Sequence, residues 1–206
     1  GSDVPAILKY TRDVYYIGNQ EMARVRKGEI TFYNLDGDEI EKELKTVEWD
    51  AEAAEKAGYE HFMIKEIHEQ PKAVSDTLNS VVKDGAIDLS EVGLSEEEIK
   101  EISQIYIVAC GSAYHVGVAA QYVMEDLARI PVRVELASEF RYRNPILDPK
   151  GLVIIISQSG ETADSLAALR ESKKQGVKTL GIVNVIGSSI AREADNVFYT
   201  LAGPEI

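Results

Sequence analysis

Leu152-Val153-Ile154-Ile155-Ile156-Ser157-Gln158-Ser159-Gly160-Glu161-Thr162 is the stretch that decides the fold of this 206-residue chain. Five consecutive apolar residues read as a strand covered on both faces, the mark of a parallel sheet. A turn rich in hydroxyl and amide side chains follows, and a helical pattern runs from Ala163 to Lys174. A buried strand that feeds such a turn into a helix builds an anion site. Free backbone N–H groups stand at the helix N-terminus, the dipole presents its positive end, and hydroxyls surround both. No lysine lies in the loop, so a phosphate there would be held by neutral donors.

The same alternation repeats on either side. Strands are predicted at 104–109, 132–136, 152–156, 178–183 and 196–200, and helices at 113–128, 137–142, 161–175 and 188–194. Residues 105–109 form a second unbroken apolar run, and Gly176 and Gly187 fall where helices end or chains turn. The predicted class is α/β: a five-stranded, parallel, doubly wound sheet flanked by helices, over about 95–203. Such sheets bind ligands beyond the carboxyl ends of their strands, where the strand order switches. Two loops qualify, Cys110-Gly111-Ser112-Ala113-Tyr114 after the first strand and Ser157 to Thr162 after the third. Ordinary capping accounts for either loop alone. Two of them at adjacent strand ends favour a phosphate site.

The N-terminal part is different. Residues 7–17, 22–26 and 29–33 have strand composition, Lys27-Gly28 reads as a hairpin turn, and Leu35-Asp36-Gly37-Asp38 reads as another turn. About 35 residues cannot supply a core alone, so this piece reads as the end of a larger β-rich domain. Residues 38–60 are acidic, with a short helix expected from Asp50 to Lys56. The helical pattern over 61–83 contains Pro71, which predicts one helix to about Glu69 and a second from about Pro71 to Val82, ended by Gly85. Ser95-Glu96-Glu97-Glu98 is a capping box that starts a helix to about Ile102.

Composition excludes several classes. The net charge is −13. Residues 1–100 carry 12 Lys or Arg against 23 Asp or Glu, and residues 101–206 carry 10 against 12. The acidic half repels nucleic acid and anionic lipid, so neither nucleic acid nor membrane is an expected partner. The nearly neutral half is compatible with a small phosphorylated ligand. No apolar run approaches the roughly 20 residues of a membrane span, and no signal peptide is visible. The single cysteine, Cys110, suits a reducing cytoplasm.

Other chemistries fit poorly. Gly111 and Gly117 lack dinucleotide-loop spacing, no nucleoside-triphosphate loop occurs, and Ser159 lacks the glycine of a nucleophile elbow. His61, His68 and His115 show no metal spacing, so no metal is predicted. Cys110 reads as a small residue at a strand end, Arg141 and Arg143 as salt-bridge partners, and Glu161 as a helix-dipole partner.

Four stretches together resemble one family. They are Ile107-Val108-Ala109-Cys110-Gly111-Ser112-Ala113-Tyr114-His115, Val134-Glu135-Leu136-Ala137-Ser138-Glu139-Phe140-Arg141-Tyr142-Arg143, Ser157 to Asp164, and Ala202-Gly203-Pro204-Glu205-Ile206. Their order and spacing are similar to the first sugar-isomerase (SIS) domain, of flavodoxin-like fold, in the glutamine–fructose-6-phosphate aminotransferase family. Residues 61–71 resemble the segment leading into that domain, and residues about 7–37 the closing strands of the family's glutaminase domain. The resemblance implies three parts: a glutaminase-type remnant at 1–37, an acidic linker with helices at 38–94 and a first SIS domain at 95–206.

The resemblance implies that Ser157, Gln158, Ser159 and Thr162 grip the phosphate of fructose-6-phosphate or glucosamine-6-phosphate, while Cys110, Gly111 and Ser112 touch the sugar. The family pattern Cys-Gly-Thr-Ser stands here as Cys110-Gly111-Ser112-Ala113, which removes one hydroxyl. The family's glutaminase nucleophile is an N-terminal cysteine, whereas this chain begins Gly1-Ser2, read as a remnant of expression. Its ring-opening and enolisation residues lie in a second SIS domain and a C-terminal tail. The chain is therefore expected to be a cytoplasmic fragment without glutamine hydrolysis, catalytic residue or cofactor, forming homodimers and completed by the missing glutaminase and second SIS domains. The loops by themselves leave two other readings open, a sugar-phosphate sensor of a regulator and a deglycase acting on amino-acid–sugar phosphates.

Overall fold

In a computed structural model, which describes residue 7, residues 10–47 and residues 56–203, the chain divides after Phe62 into two units. Residues 38–62 fall with the first unit and Met63–Gly203 form the second. The helix expected from Asp50, and the last three residues of the motif at 202–206, lie outside the described residues apart from Lys56.

The first unit holds β1 (Asp13–Val14), β2 (Met22–Arg26), β3 (Glu29–Tyr33), β4 (Glu39–Ile40) and β5 (Lys45–Thr46). β2, β3 and β4 form an antiparallel sheet, with Lys27-Gly28 turning the first hairpin and Gly28 at φ 79°. Among the described residues of 7–17, the expected strand is reduced to β1, which pairs with β5. The cause is local. Tyr10 and Thr11 N–H both donate to the Ile7 carbonyl, and Asp13 N–H donates to Thr11 Oγ1 at 3.0 Å. These bonds divert the backbone from a ladder.

α1 (Phe62–Val81) leads into the second unit and runs straight through Pro71, against the expected break. Pro71 leaves the Ile67 carbonyl without its helical donor. Ile67, Gln70 and Pro71 are all exposed, so water can serve that carbonyl. Gly85 does not end a helix either. It turns the hairpin of β6 (Val82–Lys83) and β7 (Ala86–Ile87) with Asp84, at φ 52° and 78°. Two successive positive φ angles are what an Asp-Gly hairpin turn supplies.

After α2 (Glu96–Glu101) the expected alternation follows: β8 (Gln104–Ala109), α3 (Gly111–Ala128), β9 (Val132–Leu136), α4 (Ala137–Tyr142), β10 (Gly151–Ser157), α5 (Ala163–Lys174), β11 (Lys178–Val183), α6 (Ser189–Glu193) and β12 (Asn196–Tyr199). All five strands are parallel, in the order β12-β11-β10-β8-β9. The strands lie within two residues of their predicted bounds. α3 starts two residues earlier than expected, and α5 two later, because Thr162 is still extended at ψ 116°.

The sheet is covered on both faces, as its unbroken apolar strands require. Tyr106, Val108, Val153 and Ile155 pack with Phe140, Ala168, Leu169 and Ile190 on one face. Ile105, Ile107, Val132, Leu152 and Ile154 pack with Met124 of α3 on the other. α3 approaches that second face closely at Gly117. A side-chain carbon there would meet Ile107 Cγ2 at 2.8 Å and Val134 Cγ1 at 3.0 Å. Both neighbours are β-branched and stiff.

The close approach at Gly117 and a separate ion pair, Glu98 with Lys178, can each be tested. Gly117→Ala gains about 1 kcal/mol of helix propensity but overpacks a site where relief costs about 1–3 kcal/mol, so it lowers stability by about 1 kcal/mol in urea unfolding. A gain in stability would show that α3 can move off the sheet. The second concerns Glu98, whose pKa is lowered from 4.5 to about 2, first by the Lys178 hydrogen bond and then by the Ser95 N–H and hydroxyl. A depressed carboxylate stabilises above its unfolded pKa and loses that contribution as pH falls through the folded one. Between pH 4.5 and 2, therefore, wild type loses more stability than Glu98→Gln, measured as urea midpoints; parallel curves would remove Lys178–Glu98 as a contributor.

Candidate functional site

The strand order reverses between β8 and β10, which pair from Gly151 opposite Gln104 to Ile156 opposite Ala109. Both candidate loops leave from the carboxyl ends of these two neighbours. Cys110, Gly111 and Ser112 begin α3, and Ser157, Gln158, Ser159 and Thr162 join β10 to α5. The structure brings the two loops together: Ser165 Oγ, in the first turn of α5, donates to Cys110 Sγ at 3.8 Å.

Neither helix start carries a side-chain cap. Cys110 is the N-cap of α3 and Thr162 that of α5, and neither bonds a first-turn amide. The first-turn N–H groups of Ala163, Asp164 and Ser165 therefore have no partner within the helix. Thr162 Oγ1 instead lies 3.1 Å from Ser157 Oγ, which also accepts the Gly160 N–H at 3.1 Å. Ser159 Oγ accepts the Glu161 N–H at 3.2 Å. Of the Ser157–Thr162 pair, one hydroxyl donates to the other and the second keeps its proton; Ser159 keeps its own as well. The loop thus folds itself with its oxygen lone pairs and leaves two O–H donors, beside the helix N–H groups, for an anion.

Burial divides these residues by task. Ser157 is buried, Ser159 and Thr162 are half-buried, and Gln158 is exposed. Gln158 contributes its main chain as well, since its carbonyl accepts the Asn184 N–H at 3.1 Å. Gly111, at φ 57°, and Ser112 are exposed at the mouth, and Ala113 is half-buried beside them.

Two supporting residues were not foreseen. Asn184, after β11, is 5% exposed; besides its main-chain bond to Gln158, its side chain bonds the Gly203 carbonyl at 2.6 Å and the Ala202 N–H at 2.9 Å. Ser188 fills the space that a side chain at Gly160 would need. An asparagine and a serine on either side of Gly187 gave the only sequence signal, which is that of an ordinary turn.

Arg141 and Arg143 do make salt bridges. Arg141 Nη1 lies 2.6 Å from Asp164 Oδ1, and that bond holds the guanidinium pKa above its usual value. Arg143 pairs with Glu135 through Nε at 2.7 Å and Nη2 at 2.5 Å. Among the described residues no group of three His, Cys, Asp or Glu side chains is placed to hold a metal ion, and no helix is long and apolar enough to cross a membrane. A separate hollow of about 570 Å³, lined by Val81, Val92, Asn196, Phe198, Tyr199 and Leu201 among others, lies against β12 and shares no residue with either loop.

Comparison with known proteins bears on the fold and the family. The SIS domain family matches residues 98–206. A glutamine–fructose-6-phosphate aminotransferase (isomerizing) of Caldanaerobacter subterraneus subsp. tengcongensis is 56% identical over 206 residues, which are all of this chain and 34% of the relative. One of the same description from Clostridium acetobutylicum is also 56% identical, with the same coverage. The chain thus spans about a third of the length of the curated relatives it matches. Among solved structures, the C-terminal domain of glucosamine-fructose-6-phosphate aminotransferase from Francisella tularensis superposes with a TM-score of 0.70 at 48% identity, over 74% of this chain and 43% of that one. The SIS match covers more than half of the chain, and the chain belongs to the SIS domain family.

Proposed function

We propose that this SIS-family chain is the sugar-phosphate-binding part of an enzyme that makes glucosamine-6-phosphate from fructose-6-phosphate and glutamine. One observation carries the reading: two uncapped helix N-termini meet at the switch point of the sheet, and the loop of one leaves hydroxyl donors unspent. The 56% identity to aminotransferases of that description, over the whole chain, supports the same substrate class.

In this reading Ser157, Ser159 and Thr162, with the N-terminus of α5 and the Gln158 amide, hold the phosphate. Cys110, Gly111 and Ser112 border the sugar. Neutral donors and a helix dipole suit a phosphate that must be held and then released with the product. The full enzyme would take ammonia from glutamine, add it to the ketose carbonyl and isomerise the adduct to the aldose. Those steps belong to a glutaminase domain and a second SIS domain, with no organic cofactor or metal. The chain would act in the cytoplasm, with neither nucleic acid nor membrane as partner. A homodimer fits the outer face of α3, where Val116, Tyr122, Val123 and Leu127 are all more than half exposed.

Calorimetric titration with fructose-6-phosphate tests the assignment. Saturable binding is expected, weakened about tenfold by Ser159→Ala, the loss of one hydrogen bond to a charged group. Absence of binding, or a Ser159→Ala variant that binds as wild type does, would remove this loop as the phosphate site. Ala113→Ser restores a first-turn hydroxyl beside Ser112 and is expected to tighten binding by about tenfold, again one charge-assisted bond. An unchanged dissociation constant would mean that a main-chain N–H or a water already fills that place.

A further inference from the structure

The anion loop and the start of α5 carry two carboxylates, and each has a partner on another segment. Asp164 is taken by Arg141. Glu161 is exposed, and its position before α5 suggests a partner for that helix's own dipole. The structure gives it a different helix. Glu161 Oε1 accepts the Ser189 N–H at 2.7 Å, in the first turn of α6 and 28 residues along the chain. The next amide, of Ile190, donates to the Gly160 carbonyl at 3.0 Å. Ser188, 3% exposed and with no hydrogen-bond partner for its hydroxyl among the described residues, packs against Gly160 itself. Gly160 is at φ 67°, so its backbone as well as its surroundings require glycine. Gly160 and Glu161 are thereby seated on Ser188, Ser189 and Ile190.

We propose that Glu161 is a positioning residue of the phosphate cradle. Its carboxylate fastens the loop to the start of α6, and in that pose its negative charge is turned away from the ligand. The proposal rests on the phosphate reading of the loop. Two links connect the clamp to the cradle. The Glu161 N–H occupies a lone pair of Ser159 Oγ, so fixing Glu161 also fixes which way the Ser159 hydroxyl can donate. The carboxylate itself is two residues from Ser159; released from Ser189, it would repel a dianion held by that serine. Bound to a helix N–H group, its charge is partly compensated.

Glu161→Ala and Glu161→Gln separate this role from plain stabilisation. Fructose-6-phosphate is titrated into wild type, both variants and Ser159→Ala at low and high salt, with urea unfolding alongside. Glu161→Ala is expected to raise the dissociation constant about tenfold at an unchanged urea midpoint. Glu161→Gln keeps the acceptor for Ser189 N–H and sheds the charge. It is expected to bind at least as tightly as wild type, with any gain shrinking as salt is raised. Binding by Glu161→Ala equal to wild type overturns the proposal, as does Glu161→Gln binding as weakly as Glu161→Ala. Loss of affinity that only tracks loss of stability also overturns it, since the clamp would then serve the fold alone. If wild type does not bind, or Ser159→Ala leaves binding untouched, the phosphate reading fails first and the proposal falls with it.

Discussion

The parallel pairing of β8 with β10 is the constraint from which the rest of the second unit follows. From β8 the chain crosses by α3 to β9 at one edge; from β10 it crosses by α5 to β11 in the opposite direction. Crossovers are right-handed, so two that depart in opposite directions must lie on opposite faces of the sheet. α3 accordingly packs over Ile105, Ile107 and Leu152, and α5 over Val108, Val153 and Ile155. Their N-termini start from adjacent strand ends and then diverge. A crevice lined by first-turn amides is the geometric consequence. The apolar residues that fix this pairing contribute no chemistry, yet they decide where the chemistry can be placed.

That crevice reconciles the proposed anion site with a chain of net charge −13. The excess charge is concentrated before residue 100, and within the loop the donors are hydroxyls and amides. The nearby carboxylates are each given a partner, Asp164 the Arg141 guanidinium and Glu161 the Ser189 N–H. An arginine or lysine aimed at a phosphate in such a crevice would give stronger attraction but would follow ionic strength closely. Neutral donors depend instead on being held in place. Stiffness of the loop therefore matters more here than its charge, which explains why so many of its lone pairs bond within the loop itself.

Much of this fold was legible because the signals are local and redundant. An unbroken apolar run such as 152–156, closed by hydroxyls and followed by helical spacing, fits only a buried parallel strand leading into a helix. Ser95 to Glu98 declared its capping box outright, and the structure has both of its bonds. The failures came where one residue type serves two purposes. Pro71 reads as a helix break, but an exposed turn of α1 can lose one hydrogen bond and continue. Gly85 reads as a helix stop, but with Asp84 before it the better reading is a hairpin turn, which the dipeptide itself signals. The strand pattern over 7–17 was defeated by Thr11, whose hydroxyl offers the backbone a closer partner than any strand does.

The candidate site was legible in a narrower sense. Which loops face the crevice follows from topology, and the resemblance of Cys110 to Ser112 and Ser157 to Thr162 to one family named them in advance. What each side chain does once there is another matter. Thr162 stands at an N-cap and does not cap; its hydroxyl turns to Ser157. Glu161 stands before α5 and serves α6. Neither departure can be read from residue type or spacing, because each depends on an atom that the fold delivers: Ser157 Oγ from the end of β10, and Ser189 N–H from a turn 28 residues away. Capping rules describe a helix end with only its own neighbours for company. At a switch point two helix ends and three loops crowd together, and the most favourable partner for a hydroxyl or a carboxylate is then often on another segment. The strength of the local rule has not changed; the competition for each donor has.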